Sequence, residues 1–167
     1  MDATSFLQGR TRETTVRRDA EGRWFHDGQP LEHPGLCRSF DRWVERAEDG
    51  RWCLKNDINW AYIALEGAPF FVRGVRIEGD GVVLRLSDDS EQPLDADSLR
   101  QGPDGALYCD VRGGQYTARF ERHVAAKLEP LIGEDDAGVY LKLDGRKVRP
   151  EVTDDPLPTR AEREEQK

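Results

Sequence analysis

The sequence predicts an α+β fold in which two repeated hairpin–helix–strand units are joined by antiparallel strands around a shared core. Three observations carry that prediction. Aromatic and glycine landmarks recur at near-constant spacing: Trp24 and Tyr108 are 84 positions apart, Trp52 and Tyr140 are 88 apart, as in a duplicated supersecondary unit. Between the landmarks the apolar period switches from two to about 3.6 and back. The middle of the chain, from Trp60 to Leu86, is rich in aromatic and β-branched residues separated by glycine turns, the pattern of antiparallel sheet.

The elements follow in order. Residues 1–20 carry Arg10, Arg12, Arg17 and Arg18 with few apolar anchors, and read as a flexible N-terminal tail with one short ordered piece at Phe6-Leu7. The first α+β unit covers 21–66. Asp27-Gly28 tolerates the positive φ of a tight turn and joins strands at 23–26 and 29–33. Pro34 suits a first helical turn. Leu36, Phe40, Trp43, Val44 and Ala47 then form one apolar helix face, stopped by Asp49-Gly50. A strand at 51–55 closes the unit.

The second unit, 67–150, opens with the central strands. Glu66-Gly67-Ala68-Pro69 breaks the strand at 60–65, and strands at 70–78 and 82–86 flank Gly79-Asp80-Gly81. One helical turn is expected at 95–100. Leu107, Cys109 and Val111 alternate, Arg112-Gly113-Gly114-Gln115 turns, and Tyr116, Ala118 and Phe120 alternate back. A helix over 121–129, limited by Pro130, buries Val124, Ala125 and Leu128, and a strand at 139–143 completes the repeat. Residues 151–167, with Pro156, Pro158 and a run of Arg, Glu and Gln, read as a flexible charged C-terminal tail.

Composition bounds the function. The net charge of -8 argues against nucleic acid, whose binding needs Lys and Arg to displace phosphate counterions, and against an anionic membrane surface. The N-terminus has no signal-peptide pattern and no apolar run approaches a membrane span, so the expected location is the cytoplasm. Cys37, Cys53 and Cys109 are odd in number and lack a CxxC pair. They read as reduced core residues.

Four stretches resemble one bacterial family, the domain of unknown function 1285: Trp24-Phe25-His26-Asp27-Gly28-Gln29-Pro30-Leu31, Asp49-Gly50-Arg51-Trp52, Glu66-Gly67-Ala68-Pro69-Phe70 and Val111-Arg112-Gly113-Gly114. Gly138-Val139-Tyr140 is a weaker fifth. The chain departs from the family's pattern at Asn56-Asp57, where a Thr-Pro is usual, and at Gly67, where an acidic residue is usual. The resemblance implies a two-part α+β fold with repeated motifs. It implies no established activity, and signalling is a suggestion for such proteins.

No catalytic constellation stands out, no residue is assigned a catalytic role, and no cofactor is expected. His26, Asp27 and His33 are the nearest approach to a metal cluster, but Asp27 has a turn to make and His33 suits a helix start, so no metal site is assigned. Arg112-Gly113-Gly114 has two readings. The plainer is a glycine turn with a solvated arginine. The sharper is an anion cradle, in which turn amides and the guanidinium fork hold phosphate or carboxylate. Trp24 opens an edge-like hairpin and could line a groove. The candidate ligand-binding residues are therefore Arg112, Gly113, Gly114, Trp24 and His26. The expected function is a non-catalytic ligand- or protein-binding regulatory module, its partner a small anionic ligand or another protein. The alternatives are a small-molecule enzyme using a cleft between the units and a structural oligomerisation module. The oligomeric state is not legible.

Overall fold

The structure, a computed structural model, describes residues 12–166, so the expected ordered piece at Phe6-Leu7 lies outside the described residues. The chain divides into two compact units, Met1–Pro69 and Phe70–Lys167. The buried apolar residues form two clusters, one in each, where a single shared core was expected.

In the first unit β1 (Arg17–Arg18), β2 (Trp24–His26) and β3 (Gln29–Pro30) precede α1 (Pro34–Trp43). β4 (Val44–Arg46), β5 (Trp52–Lys55), β6 (Trp60–Tyr62) and β7 (Ala64–Leu65) follow. Two sheets result, β3-β2-β1-β7 and β4-β5-β6. Asp27 (φ 51°) and Gly28 (φ 78°) both take the left-handed conformation of a tight hairpin turn. The His33 imidazole caps α1, its Nδ1 accepting from the Leu36 amide at 3.0 Å, and Pro34 sits in the first turn. The helix is shorter than its apolar period suggests. Val44 turns extended and pairs with Leu54, because a β-branched residue gains more on a paired, buried strand than in a helix's last turn. The strand expected at 60–65 splits: β6 pairs with β5, β7 runs parallel to β1. Gly67 stands at φ 75°, and a Cβ there would meet the Ala20 backbone at 3.1 Å. A side chain there would be strained both by the left-handed φ and by the close approach, which accounts for the glycine.

The expectation of a tail through residue 20 is corrected for residues 12–20. Val16, Arg18 and Asp19 are buried, and β1 lies between β2 and β7. Main-chain pairing supplied the ordering that apolar content alone did not suggest.

In the second unit β8 (Phe70–Glu78), β9 (Gly81–Leu86) and β10 (Glu91–Pro93) form a meander, and a 3-10 turn at Ala96–Ser98 leads to β11 (Arg100–Gln101). β12 (Leu107–Val111) and β13 (Tyr116–Phe120) make the second hairpin. α2 (Arg122–Ala125) continues as 3-10 helix over Ala126–Leu131, then come β14 (Ile132–Asp135), β15 (Gly138–Leu143), β16 (Arg146–Val148), β17 (Glu151–Val152) and α3 (Arg160–Glu165). Pro130 lies inside the 3-10 segment rather than beyond it. The seven-stranded sheet runs β10-β9-β8-β13-β12-β11-β17, and β14-β15-β16 stand apart.

One part of the element order recurs, hairpin, helix and three-stranded antiparallel sheet, at β2–β6 and at β12–β16, but the second unit adds β8–β11 before it and β17 and α3 after it. The hairpins differ in context, since β2 pairs with β1 while β13 pairs in parallel with β8. The C-terminal tail expectation is also corrected. β17 pairs with β11, and Pro156 and Thr159 are buried. The Thr159 hydroxyl caps α3 by accepting from the Glu162 amide at 3.3 Å.

Candidate functional site

The face of β4-β5-β6 opposite the core builds a concave feature. Register places Val44, Leu54 and Ala61 side by side on the buried face. Strand alternation then turns Glu45, Cys53 and Tyr62 together onto the other face, with Lys55 beside Trp60. The loop between β4 and β5 closes one end. A cavity of about 530 Å³ lies against these residues, within the size range of small-molecule sites.

Its aromatic wall is fixed from behind. Trp60 and Tyr62 meet edge to face at 5.1 Å. The Arg12 guanidinium stands 4.7 Å from the Trp60 ring and donates to the Trp60 carbonyl at 2.7 Å and to the Asn59 amide oxygen. The Arg51 guanidinium stands 3.6 Å from the Tyr62 ring and binds both carboxylate oxygens of Glu13, at 2.8 and 2.9 Å. The Tyr62 hydroxyl donates to Asp49 Oδ2 at 2.6 Å.

These bonds set protonation. The bond to Asp49 raises the Tyr62 phenol and lowers the Asp49 carboxyl, so the pair is phenol and carboxylate at neutral pH. Burial pushes the Cys53 thiol up, away from the reactive thiolate. The wall therefore offers a hydrogen-bonded phenol, carboxylates and aromatic faces, but no activated nucleophile.

The residues expected to bind ligand divide between the units. Trp24 does not line a groove. It is buried, packs edge-on against Phe40 at 5.2 Å, and its Nε1 donates to Asp41 Oδ1 at 3.0 Å. Its hairpin is not an edge at Trp24, because β1 covers that side. His26 is half-exposed, with Nε2 3.6 Å from Asp27 Oδ2. Among the described residues no group of three or more His, Cys, Asp or Glu is placed to hold a metal ion.

Arg112, Gly113 and Gly114 are consecutive in the β12–β13 turn with φ of 53°, 70° and 80°. A left-handed arginine is uncommon. Here the Arg112 amide donates to the Gln92 side chain at 2.8 Å, so it is occupied. The guanidinium stands 5.3 and 5.4 Å from the Phe70 and Tyr116 rings, a cation–π arrangement.

Sequence reasoning missed one buried ion pair in each unit. Arg18 Nη1 lies 3.2 Å from Asp41 Oδ1, with both side chains sealed. Arg18 Nη2 donates to the carbonyls of Ala68 and Pro69 at 2.7 and 2.9 Å. Arg100 Nη1 binds Asp110 at 2.9 Å and the Ser98 carbonyl at 2.8 Å. Its Nε and Nη2 donate to the Pro156 carbonyl and the Thr117 hydroxyl at 2.7 and 2.8 Å. The available signal was a carboxylate inside apolar patterning: Asp41 follows Phe40 on the helix, and Asp110 sits between Cys109 and Val111 in a strand. Arg100 is bonded to protein groups through Nε and both Nη atoms, and Arg18 through both Nη atoms, the mark of a structural clasp.

No family model matches the chain, and no curated protein matches it. Two solved structures do. A DUF1285 family protein from Silicibacter pomeroyi DSS-3 aligns with a TM-score of 0.62 at 21% identity, over 97% of this chain and 95% of that one. A DUF1285 family protein from Shewanella baltica OS155 aligns with a TM-score of 0.52 at 15% identity, over 70% of this chain and 91% of that one. The chain is thus an α+β protein with a DUF1285-like fold, and at these identities the likeness is one of fold. Among the described residues no helix is long and apolar enough to cross a membrane.

Proposed function

We propose that this chain is a non-catalytic binding module with a regulatory role, and that the first unit's cavity takes a small organic ligand. The observation that carries this is the cavity of about 530 Å³ walled by Trp60 and Tyr62. The rings are held by Arg12 and Arg51, so a ligand meets a wall that is already ordered and loses little further freedom of the protein on binding. Tyr62 and Cys53 remain protonated at neutral pH, which favours recognition over nucleophilic chemistry. Glu45, Glu48 and Asp49 give the lining three carboxylates against Arg46 and Lys55, a surface suited to a ligand with an apolar body and an amino group.

A thermal-shift screen of amines, nucleotides and carboxylates tests this reading. Compounds that stabilise the wild type should lose their effect in Trp60→Ala and keep it in Arg112→Lys. A hit abolished by Arg112→Lys alone would move the site to the β12–β13 turn. A screen without any stabilising compound would reject the small-ligand function.

A further inference from the structure

The second unit carries a cavity of a different character. We propose that the cavity of about 270 Å³ between β16 and α3 is a binding site for a small polyanion carrying at least two oxyanion groups, such as a diphosphate. It belongs to the second unit alone and stands whether or not the first unit's cavity takes a ligand.

Charge is the first argument. Apart from Arg100, which is sealed against Asp110, lysine and arginine outnumber carboxylates five to two among the lining residues, in a chain whose net charge is -8. Random placement on so acidic a chain would give the opposite bias. The cations also come from separate stretches: Arg146, Lys147 and Arg149 on and just after β16, Arg160 and Arg163 on α3. Folding, not local sequence, brings them together.

The second argument is the state of their partners. Lys147 and Arg149 share a single carboxylate, Asp135. Arg146 pairs with Asp97 at 2.7 Å, and both are about half exposed. Arg160 comes no nearer than 4.0 Å to Asp95, beyond hydrogen-bond reach. The Arg146–Asp97 and Arg160–Asp95 pairs are about half exposed, and exposed pairs of this kind are weak and screened, so an anion entering beside them displaces little. With Asp135 shared, these four cations and Arg163 have four partner carboxylates, Asp97, Asp95, Asp135 and Glu151, one fewer than the cations.

Preorganisation is the third. Arg163 is only 19% exposed. Its Nε and Nη2 donate to the Pro158 and Asp155 carbonyls at 3.1 and 2.9 Å, and Nη1 lies 3.3 Å from Glu151. Arg160 stands three residues away, on the same side of the helix. Guanidinium forks match the paired oxygens of phosphate, and the cavity falls below the usual volume for drug-sized ligands, which selects a compact anion.

Isothermal titration with inorganic pyrophosphate at low ionic strength is the test. The wild type should show saturable one-site binding that weakens as salt is raised. The Arg149→Gln/Arg160→Gln double variant should bind at least about tenfold more weakly, while Arg76→Gln, an exposed arginine away from this lining, should bind as the wild type. The doubly substituted Arg149→Lys/Arg160→Lys chain keeps charge and loses the forks; an intermediate affinity is expected and would also answer for any folding defect in the glutamine variant. No saturable heat with the wild type at millimolar pyrophosphate, or unchanged affinity in both double variants, would overturn the proposal.

Discussion

Replacing Asp41 by alanine removes the carboxylate on which two buried donors converge, Arg18 Nη1 at 3.2 Å and Trp24 Nε1 at 3.0 Å. The Arg18 side chain has no exposed surface, so the charge left behind cannot reach water. Breaking one side of a buried pair costs about 3–5 kcal/mol, a large part of a typical stability of about 5–15 kcal/mol. With a urea slope of about 2 kcal/mol/M, the unfolding midpoint should fall by roughly 1.5–2.5 M. Equilibrium urea unfolding followed by tryptophan fluorescence reads this directly, because Trp24 loses its partner in the same step. The Arg18→Met/Asp41→Leu double variant removes both charges. It still leaves the Ala68 and Pro69 carbonyls without the guanidinium, yet it should be more stable than Asp41→Ala by about 1 kcal/mol or more. An Asp41→Ala protein within about 1 kcal/mol of the wild type, or a double variant less stable than the single, would refute the assignment of Asp41 as the counter-charge of Arg18.

Deleting residues 155–167 should lower the melting temperature by roughly 6–12 °C. Arg100 loses the Pro156 carbonyl, Thr117 the Leu157 carbonyl and Asp110 the Arg160 amide, for a combined cost of about 3 kcal/mol. A change of only one or two degrees by calorimetry would show that the segment's contacts contribute nothing. Acid should destabilise the fold below the ordinary carboxylate range. Burial alone would raise the Asp19 carboxyl, but the Arg23 amide and guanidinium and the Glu21 amide together lower it; Arg149 and Lys147 lower Asp135. A carboxyl depressed in the folded state stabilises it at pH above about 4 and loses that contribution as pH falls through the folded value. Urea midpoints measured from pH 6 to pH 2 should decline less in Asp19→Asn than in the wild type, and equal slopes would count against Asp19.

Much of the chain was legible because its signals are local. Asp27-Gly28, Pro34 and the Leu36–Phe40 spacing specify a hairpin and a capped helix within twenty residues, and Gly79-Asp80-Gly81 specifies the β8–β9 meander. The α+β class follows from those signals, while the DUF1285-like fold was legible only through the resemblance of longer stretches such as Trp24–Leu31. The short partner strands were not legible. β4 and β14 have weak patterns of their own and exist because β5 and β15 lie beside them. The same holds for β1 and β17, read as tails, whose two-residue pairings gain from main-chain hydrogen bonds that side-chain composition does not encode.

The sites divide in the same way. Arg112-Gly113-Gly114 was visible as a turn because left-handed conformations restrict residue choice locally. Nothing in the sequence joined Arg18 to Asp41, Glu45 to Tyr62, or Arg149 to Arg160, since each pair is brought together by strand register or chain return across intervening elements. By itself the sequence determined the turns, the caps and the alternation of buried and exposed faces, which depend on neighbours a few positions away. The tertiary structure alone decided which charges are sealed in pairs and which surround a cavity, because burial and proximity depend on where distant segments meet.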